Sequence, residues 1–456
     1  MTAQRESEAL DALREVEAEL DRRWPETRIE PSLARIAALV DLLGSPQRCY
    51  PVLHIAGTNG KTSVARMLDA LLSRMSLRVG RYTSPHLQSV TERISLDGVS
   101  ISPQRYVEAY QDIARYLALI DARSEVPMSK FEVLTGMAFA AFADAPVDAA
   151  VVEVGLGGRW DATNVADAAV AAITPIALDH VDYLGSDLAG IAAEKAGIIK
   201  PSSIAVLAAQ PPEVARALAA RSVEVDATVA REGMEFGVLD RAVAVGGQQL
   251  RLQGLGGAYD EIFLPLHGEH QARNAALALA TVEAFFGAGA GRSLDIDAVR
   301  EAFATVTAPG RLERVRTAPS VFLDSAHNPH GARALAAALR DEFAFRRLVA
   351  VVAVLRGKDA RGIFAELEPV VDEVVVTTSD SPRAMGVDEL AAVARQVLGA
   401  ERVQVEPRLP EAIEAAVTMA EEIDPGADQI SGAGVVVTGS VTTAGAARTL
   451  FGREPQ

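Results

Sequence analysis

The sequence predicts an α/β protein of two units, the larger built on a mainly parallel sheet that carries a phosphate-binding loop and a small antiparallel extension. Three observations lead there. Apolar runs of strand length alternate with stretches of helical spacing along most of the chain, the pattern of a parallel sheet covered on both faces. The run Ala56-Gly57-Thr58-Asn59-Gly60-Lys61-Thr62-Ser63 sits where one such strand gives way to a helix. A chain of 456 residues also exceeds what one ordinary core holds.

In chain order, two helices come first, Glu6 to Arg22 and Ser32 to Leu43, whose apolar spacing makes them a packed cap on the first unit. Strand Pro51 to Ile55 leads into the loop, and Val64, Met67, Leu68, Leu71 and Leu72 then recur at helical spacing. Strand Arg78 to Thr83, helices Pro103 to Leu119 and Phe131 to Phe142, and the apolar strand Ala149 to Val154 follow. Val170 to Thr174 and Ile204 to Leu207 continue the sheet. From Val223 to Leu266 the pattern changes to short, glycine-punctuated strands, with Ala242 to Leu250 reading as a hairpin, which predicts the antiparallel extension. Helix His270 to Phe286 precedes a glycine- and alanine-rich loop, Gly287 to Ser293.

A second alternating series opens after Pro309, with strands Val321 to Leu323, Leu348 to Leu355, Glu373 to Thr377, Val403 to Glu406 and Val435 to Thr438. It predicts a second, smaller, Rossmann-like α/β unit. The expected division is 1–308 and 309–456, with the boundary near Ala308 to Arg311. A ligand crevice is expected between the units, at the C-terminal ends of the strands.

Composition bounds the function. A formal net charge of −17 argues against a nucleic-acid or anionic-membrane surface, since both need a basic footprint. Cys49 is the only cysteine, which excludes an intrachain disulfide and any multi-thiolate metal site and fits a cytoplasmic setting. Met1 to Glu6 leads into an acidic amphipathic helix without the basic and apolar regions of a signal peptide. The alanine-rich stretch Leu134 to Ala143 is too short to span a bilayer, so a soluble protein is expected.

The loop carries the chemistry most plainly. Gly57 to Gly60 would turn backbone amides inward at a helix N-terminus, an anion site. Lys61 would set a point charge against the outer phosphates, and the hydroxyl of Thr62 or Ser63 would complete the shell of a magnesium ion. The usual pattern has glycine five positions before the Gly-Lys pair. Ile55 stands there, so the loop is a shortened variant.

Glu153 lies within an apolar strand followed by Gly155, Gly157 and Gly158, and a buried carboxylate needs a partner: a salt bridge, or a metal or metal-bound water. Asp161-Ala162-Thr163-Asn164 offers polar groups at the same mouth. His180, between Asp179 and Asp182 after a strand, is open to a metal shell, a substrate contact or neither. Lys195 lies on a helix, where a solvated charge is the ordinary reading. In the second unit Asp324 could accept from a ribose hydroxyl, and His327 or Asn328 could bind a carboxylate. Asn328 before Pro329 also reads as a helix cap.

These residues resemble the folylpolyglutamate synthase and dihydrofolate synthase family, within the ATP-dependent Mur ligase superfamily. The similarity runs from Gly57-Thr58-Asn59-Gly60-Lys61 through Thr83-Ser84-Pro85-His86-Leu87, Val152 to Asn164, Asp179 to Gly185, Glu194 to Gly197 and His270 to Asn274. It continues with Pro309 to Glu313, Asp324 to Pro329 and Gly439 to Thr442. Thr62 departs from it, because the folate enzymes usually carry glycine there and the cell-wall Mur ligases threonine. Ser84 to Leu87 and His327-Asn328-Pro329 look like the folate branch.

The resemblance implies an amide ligase. A carboxylate of dihydropteroate or of a folate glutamate tail takes the terminal phosphoryl group of ATP, and the amine of L-glutamate displaces phosphate from the acyl phosphate. By motif, Lys61, Glu153, His180 and Lys195 are implied in catalysis, with Lys195 matching a carbamylated lysine. Gly57, Thr58, Asn59, Gly60, Lys61, Thr62, Ser63, Asn274, Arg311 and Asp324 match ATP-binding positions. Ser63, Glu153 and His180 match Mg2+ ligands, Thr83 to Leu87 and Asp161 the folate side, and His327 and Ser440 the glutamate side. With Ser63 available for magnesium, Thr62 is expected to be dispensable. A monomer is expected.

Two other readings compete. A cell-wall Mur ligase would act on a UDP-muramyl peptide and would ordinarily carry an N-terminal UDP-binding domain, for which the residues before Pro51 are too few. A non-catalytic nucleotide-dependent switch would not need Glu153, His180 and Lys195 together with His327 and Ser440.

Overall fold

Alternation of buried apolar runs and amphipathic helices gives two sheets with helices packed on both faces, and a three-stranded extension. The computed structural model describes residues 2–24, 30–287, 289, 291–422 and 432–456. The first sheet comprises β1 (Val52–Ala56), β2 (Val79–Tyr82), β3 (Ile94–Leu96), β4 (Val99–Ser100), β5 (Ala149–Glu153), β6 (Ala168–Ile173), β7 (Ile204–Leu207) and β8 (Thr228–Arg231). Their order is β4-β3-β2-β5-β1-β6-β7-β8. From β2 to β8 the pairing is parallel, while β3 and β4 make an antiparallel edge.

Strand β1 is buried along its whole length, as a central parallel strand must be. Its alternate residues enter different cores. Leu53 and Ile55 pack with the helices Lys61–Arg74 and Glu269–Phe285, whereas Val52 packs under the helices Ala34–Leu42, Pro103–Asp121 and Lys130–Asp144. Strand order reverses around β1: β5 and β2 lie on one side, β6 to β8 on the other. The crevice at such a reversal is where open α/β sheets place ligands.

Strands β9 (Gly237–Ala244), β10 (Gly247–Gln253) and β11 (Ala258–Leu264) form the antiparallel extension, and the expected hairpin joins β9 to β10 with Ala244 opposite Gly247. The extension is narrower than expected. The residues before it form the helix Pro212–Glu224, and β8 joins the parallel sheet beside β7. The loop expected over Gly287 to Ser293 lies partly outside the described residues.

The second sheet comprises β12 (Glu313–Thr317), β13 (Ser320–Leu323), β14 (Arg347–Val352), β15 (Glu373–Val376), β16 (Val403–Val405) and β17 (Ala433–Thr438), in the order β12-β13-β17-β14-β15-β16. All pairs are parallel except β12 with β13. All five expected strands are present, and the unexpected β12 adds an antiparallel edge. Among the described residues no helix is long and apolar enough to cross a membrane.

Candidate functional site

The loop after β1 is shaped by two glycines with positive φ, a conformation that disfavours a side chain, Gly57 at φ 146° and Gly60 at φ 90°. Both positions are closed to a side chain. A Cβ on Gly57 would run into Thr174, and one on Gly60 would stand 2.7 Å from Asn274 Oδ1. The close approach at Gly60 brings Asn274, from a helix more than 200 residues later, onto the loop. Thr58 is pinned by its hydroxyl, which donates to the Ala177 carbonyl at 3.0 Å and accepts from the Ala177 N–H at 3.0 Å. Lys61 opens the helix Lys61–Arg74 and turns its ammonium to the Thr58 carbonyl at 3.3 Å.

Glu153 ends β5 directly beside Ile55 of β1, so the register sets a carboxylate under the loop. It is 1% exposed. Both oxygens lie 3.1 Å from the Thr62 hydroxyl, and one lies 3.4 Å from the Ser84 N–H. Burial pushes its carboxyl up, against the opposing pull of Lys61 and the Thr62 hydroxyl. No Lys or Arg forms an ion pair with it among the described residues, so it is not a core salt bridge. The neighbouring Ser63 turns away and accepts from Gln271 Nε2 at 3.3 Å, while Gln271 Oε1 accepts from Asn274. The hydroxyl that meets Glu153 is therefore that of Thr62, the residue the motif comparison marked as dispensable.

Lys195 is not the solvated charge its helix position suggests. It is 5% exposed, and its ammonium makes no hydrogen bond or ion pair among the described residues. Its helix end is sealed by Gly158, where a Cβ would stand 2.9 Å from Lys195 Cα. Burial, with Lys61 adding like charge, brings its ammonium down to about 7.

Asp179, in the loop after β6, is the ionic centre between the two units; from sequence it was named only as a neighbour of His180 and part of a matched stretch, and was given no role. It receives Lys358 at 2.5 Å, His327 Nε2 at 3.3 Å and Asn328 Nδ2 at 2.9 Å, all from the second unit. Burial would raise its carboxyl, but His327 and Lys358 hold it far below the usual carboxylate range. Lys358 was also missed. Its only sequence signal is that Leu355-Arg356-Gly357-Lys358 follows the parallel strand β14, as Asp324 to Asn328 follow β13 and Ser440 follows β17. His180 faces this cluster, with Lys358 Nζ at 3.4 Å and Asp179 Oδ2 at 3.9 Å. Burial brings the His180 ring down to about 3, so it is neutral at physiological pH.

A cavity of about 450 Å³ opens between the units. Ser84, Pro85, His86, Asp161 and His180 line it from the first unit, His327 and Ser440 from the second. The structure thus gathers into one space seven residues singled out from five distant stretches of sequence. The Ser84 to Ser89 loop is held by Glu92, which accepts from the N–H groups of Leu87 at 2.8 Å and of Gln88 and Ser89 at 3.0 Å. Thr83 is buried below it and donates its N–H to the Arg93 carbonyl. His86 accepts from Arg93 Nε at 3.0 Å, and burial brings its ring down to about 3.

Asp161 has a structural duty as well. It caps the turn Ala162–Val165, accepting from Thr163 N–H and Leu156 N–H. Asp324 likewise accepts from Leu312 N–H and Ala326 N–H at 2.8 Å, and burial pushes its carboxyl up while Arg311 opposes. Ser440 caps the helix Val441–Leu450. Among the described residues no three His, Cys, Asp or Glu side chains converge as a metal cage.

Comparison with known proteins gives the same outline. Residues 55–282 match the Mur ligase middle domain, and residues 310–441 match the Mur ligase glutamate ligase domain. A dihydrofolate synthase/folylpolyglutamate synthase of Mycobacterium tuberculosis is 62% identical over 98% of this chain and 95% of its own length. A solved structure of M. tuberculosis folylpolyglutamate synthase complexed with ADP superposes with a TM-score of 0.94 at 61% identity, covering 98% of this chain and all of that one. E. coli FolC in complex with DHPP and ADP superposes with a TM-score of 0.83 at 30% identity, covering 96% of this chain and 97% of the other.

Proposed function

The chain belongs to the Mur ligase family, in its dihydrofolate synthase/folylpolyglutamate synthase branch, and from that premise we propose that it is an ATP-dependent ligase joining L-glutamate to a folate or to dihydropteroate. The observation that carries the reading is the junction of two walls in one cavity: the Ser84 loop with Asp161 and His180 on one side, His327 and Ser440 on the other. A carboxylate oxygen of the pterin substrate attacks the terminal phosphorus of ATP, and ADP leaves. The glutamate amine then attacks the acyl carbon, and the tetrahedral intermediate collapses to amide and phosphate with loss of a proton. The protein's work is positioning and charge neutralisation. Lys61, Asn274, Arg311 and Asp324 are assigned to the nucleotide. The Ser84 loop and Asp161 are assigned to the folate, and His327 with Ser440 to the incoming amino acid.

A hard divalent cation fits beside Glu153, where a buried carboxylate shares a hydroxyl and, among the described residues, has no cationic partner bonded to it. We assign Glu153 and Thr62 to hold Mg2+, which would supply charge neutralisation at the transferred phosphoryl group. Ser63, turned to Gln271, is not assigned there, and His180 is assigned to the cluster around Asp179. Lys195 is the residue we assign to carbamylation. A buried amine near neutrality has a free lone pair for CO2, and the product is an anion. We place the unit boundary at 308/309, and the enzyme in the cytoplasm as a monomer.

The test is ADP release by purified protein. It should require a folate or dihydropteroate and L-glutamate together, and Lys61→Ala should abolish it in a folded protein. Turnover with a UDP-muramyl peptide and with neither pterin would sink the folate reading. Near-normal turnover by Lys61→Ala would sink the loop assignment.

A further inference from the structure

Asn328 is 2% exposed and sits where three parts of the molecule meet. Its side-chain oxygen accepts from Gly331 N–H at 2.8 Å, capping the helix Pro329–Glu342, and from Asn59 Nδ2 at 3.1 Å. Its side-chain nitrogen donates to Asn59 Oδ1 at 3.2 Å and to Asp179 Oδ2 at 2.9 Å. Two lone pairs and two protons are thus all used, which fixes the amide in one orientation. Asn59 in turn is held by His330 Nδ1 at 2.8 Å. Asn59 belongs to the phosphate loop of the first unit, and Asp179 is the carboxylate that holds His327 and Lys358 of the second. A cap alone needs only the oxygen. The nitrogen's two bonds run elsewhere, one to the phosphate loop and one to Asp179, both in the first unit.

We propose that Asn328 is a positioning residue that registers the glutamate-receiving wall on the phosphate loop: its amide fixes Asp179, and Asp179 places His327 and Lys358. The inference rests on the reaction proposed above. It separates from helix capping by one substitution. Aspartate caps a helix N-terminus as well as asparagine does, and Asn328→Asp keeps an oxygen for Gly331 N–H and for Asn59 Nδ2. It removes the donor and faces a carboxylate toward Asp179.

Steady-state kinetics of the full chain with ATP, folate and L-glutamate varied in turn test it, alongside thermal melts. For Asn328→Asp the expected result is a glutamate KM raised about tenfold or more and a lower kcat, the scale of losing a hydrogen bond to a charged group. The ATP KM should stay within about threefold; the melting temperature should fall, because a buried carboxylate now faces that of Asp179 even though the cap survives, so the split between the two KM values is the readout. Asn328→Ala should lose both the cap and the contact, lowering the melting temperature as well as raising the glutamate KM. Wild-type glutamate KM and kcat in Asn328→Asp would overturn the inference and leave a cap only. So would a raised ATP KM with glutamate untouched. Absence of glutamate-dependent ADP release in the wild-type protein would instead overturn the proposed reaction itself.

Discussion

Glu153 shows how far single residues could be read from sequence. A carboxylate inside an apolar strand asks for a partner, and that much was legible. The partner was not, because Thr62 and Ser63 are consecutive on a helix and point about 100° apart. Only the burial of Val64, Met67 and Leu68 fixes which hydroxyl faces β5 and which faces Gln271. The ordinary reading of Lys195 as a solvated charge fails for a related reason: the close seating of Gly158 on its helix end buries it, and no local pattern reports that contact. Asp179 and Lys358 meet from 179 positions apart. At this scale the structure predicts opposite effects of Glu153→Gln on stability and on turnover. Burial disfavours the charged carboxylate, so without metal the neutral amide should leave the melting temperature unchanged or higher. Ligase turnover should fall about a hundredfold or more, and the stabilisation that Mg2+ gives the wild-type protein should vanish. A large drop in melting temperature with turnover retained would contradict the assignment.

The long elements were legible because a buried parallel sheet leaves apolar runs and its helices leave a 3.6-residue period. Strands β3 and β4 span three and two residues, too few for any period, and β12 alternates charged residues as an exposed edge does. The loop from Ser84 to Ser89 was visible as a motif, but its clamp was not. Glu92 lies in the short turn Val90–Arg93 and gathers three backbone N–H groups with its two oxygens. Glu92→Gln puts an NH2 group where one oxygen now accepts, so one clamp bond becomes a clash of donors. The loop should loosen while the phosphate loop is untouched. The KM for the pterin substrate should rise about fivefold or more and the ATP KM by less than about twofold. Equal rises in both would show that Glu92 supports the whole fold and not the loop. A melt shift of a few degrees is compatible with either result, so the ratio of the two KM changes decides.

Across the whole molecule, two sheets and a cavity between them follow from alternation and chain length, whereas the charges that hold the junction do not. Overall charge is −17, yet the cavity gathers His86, His180, His327 and Lys358. Burial keeps two of those rings, His86 and His180, neutral at pH 7, and the same holds for His54 inside β1, whose ring is fully buried and brought down to about 3. The sign of the pH dependence follows. Between about 6.5, where an unfolded histidine titrates, and about 3, the unfolded chain binds a proton that the folded one refuses. Stability is therefore greatest above that window and falls as pH falls through it, by up to about 1.4 kcal/mol per pH unit for each such ring. His54 isolates the effect, because it lies away from the cavity with Nε2 at 2.9 Å from the Thr163 hydroxyl. Glutamine can keep that contact and does not titrate. Urea unfolding of the ligand-free protein between pH 7.5 and 4.5 should therefore show a shallower loss of stability for His54→Gln than for the wild type, so that the variant gains on the wild type as pH falls. Parallel curves over that range would mean that the His54 ring accepts its proton in the folded state, and that β1 tolerates a charge in its centre.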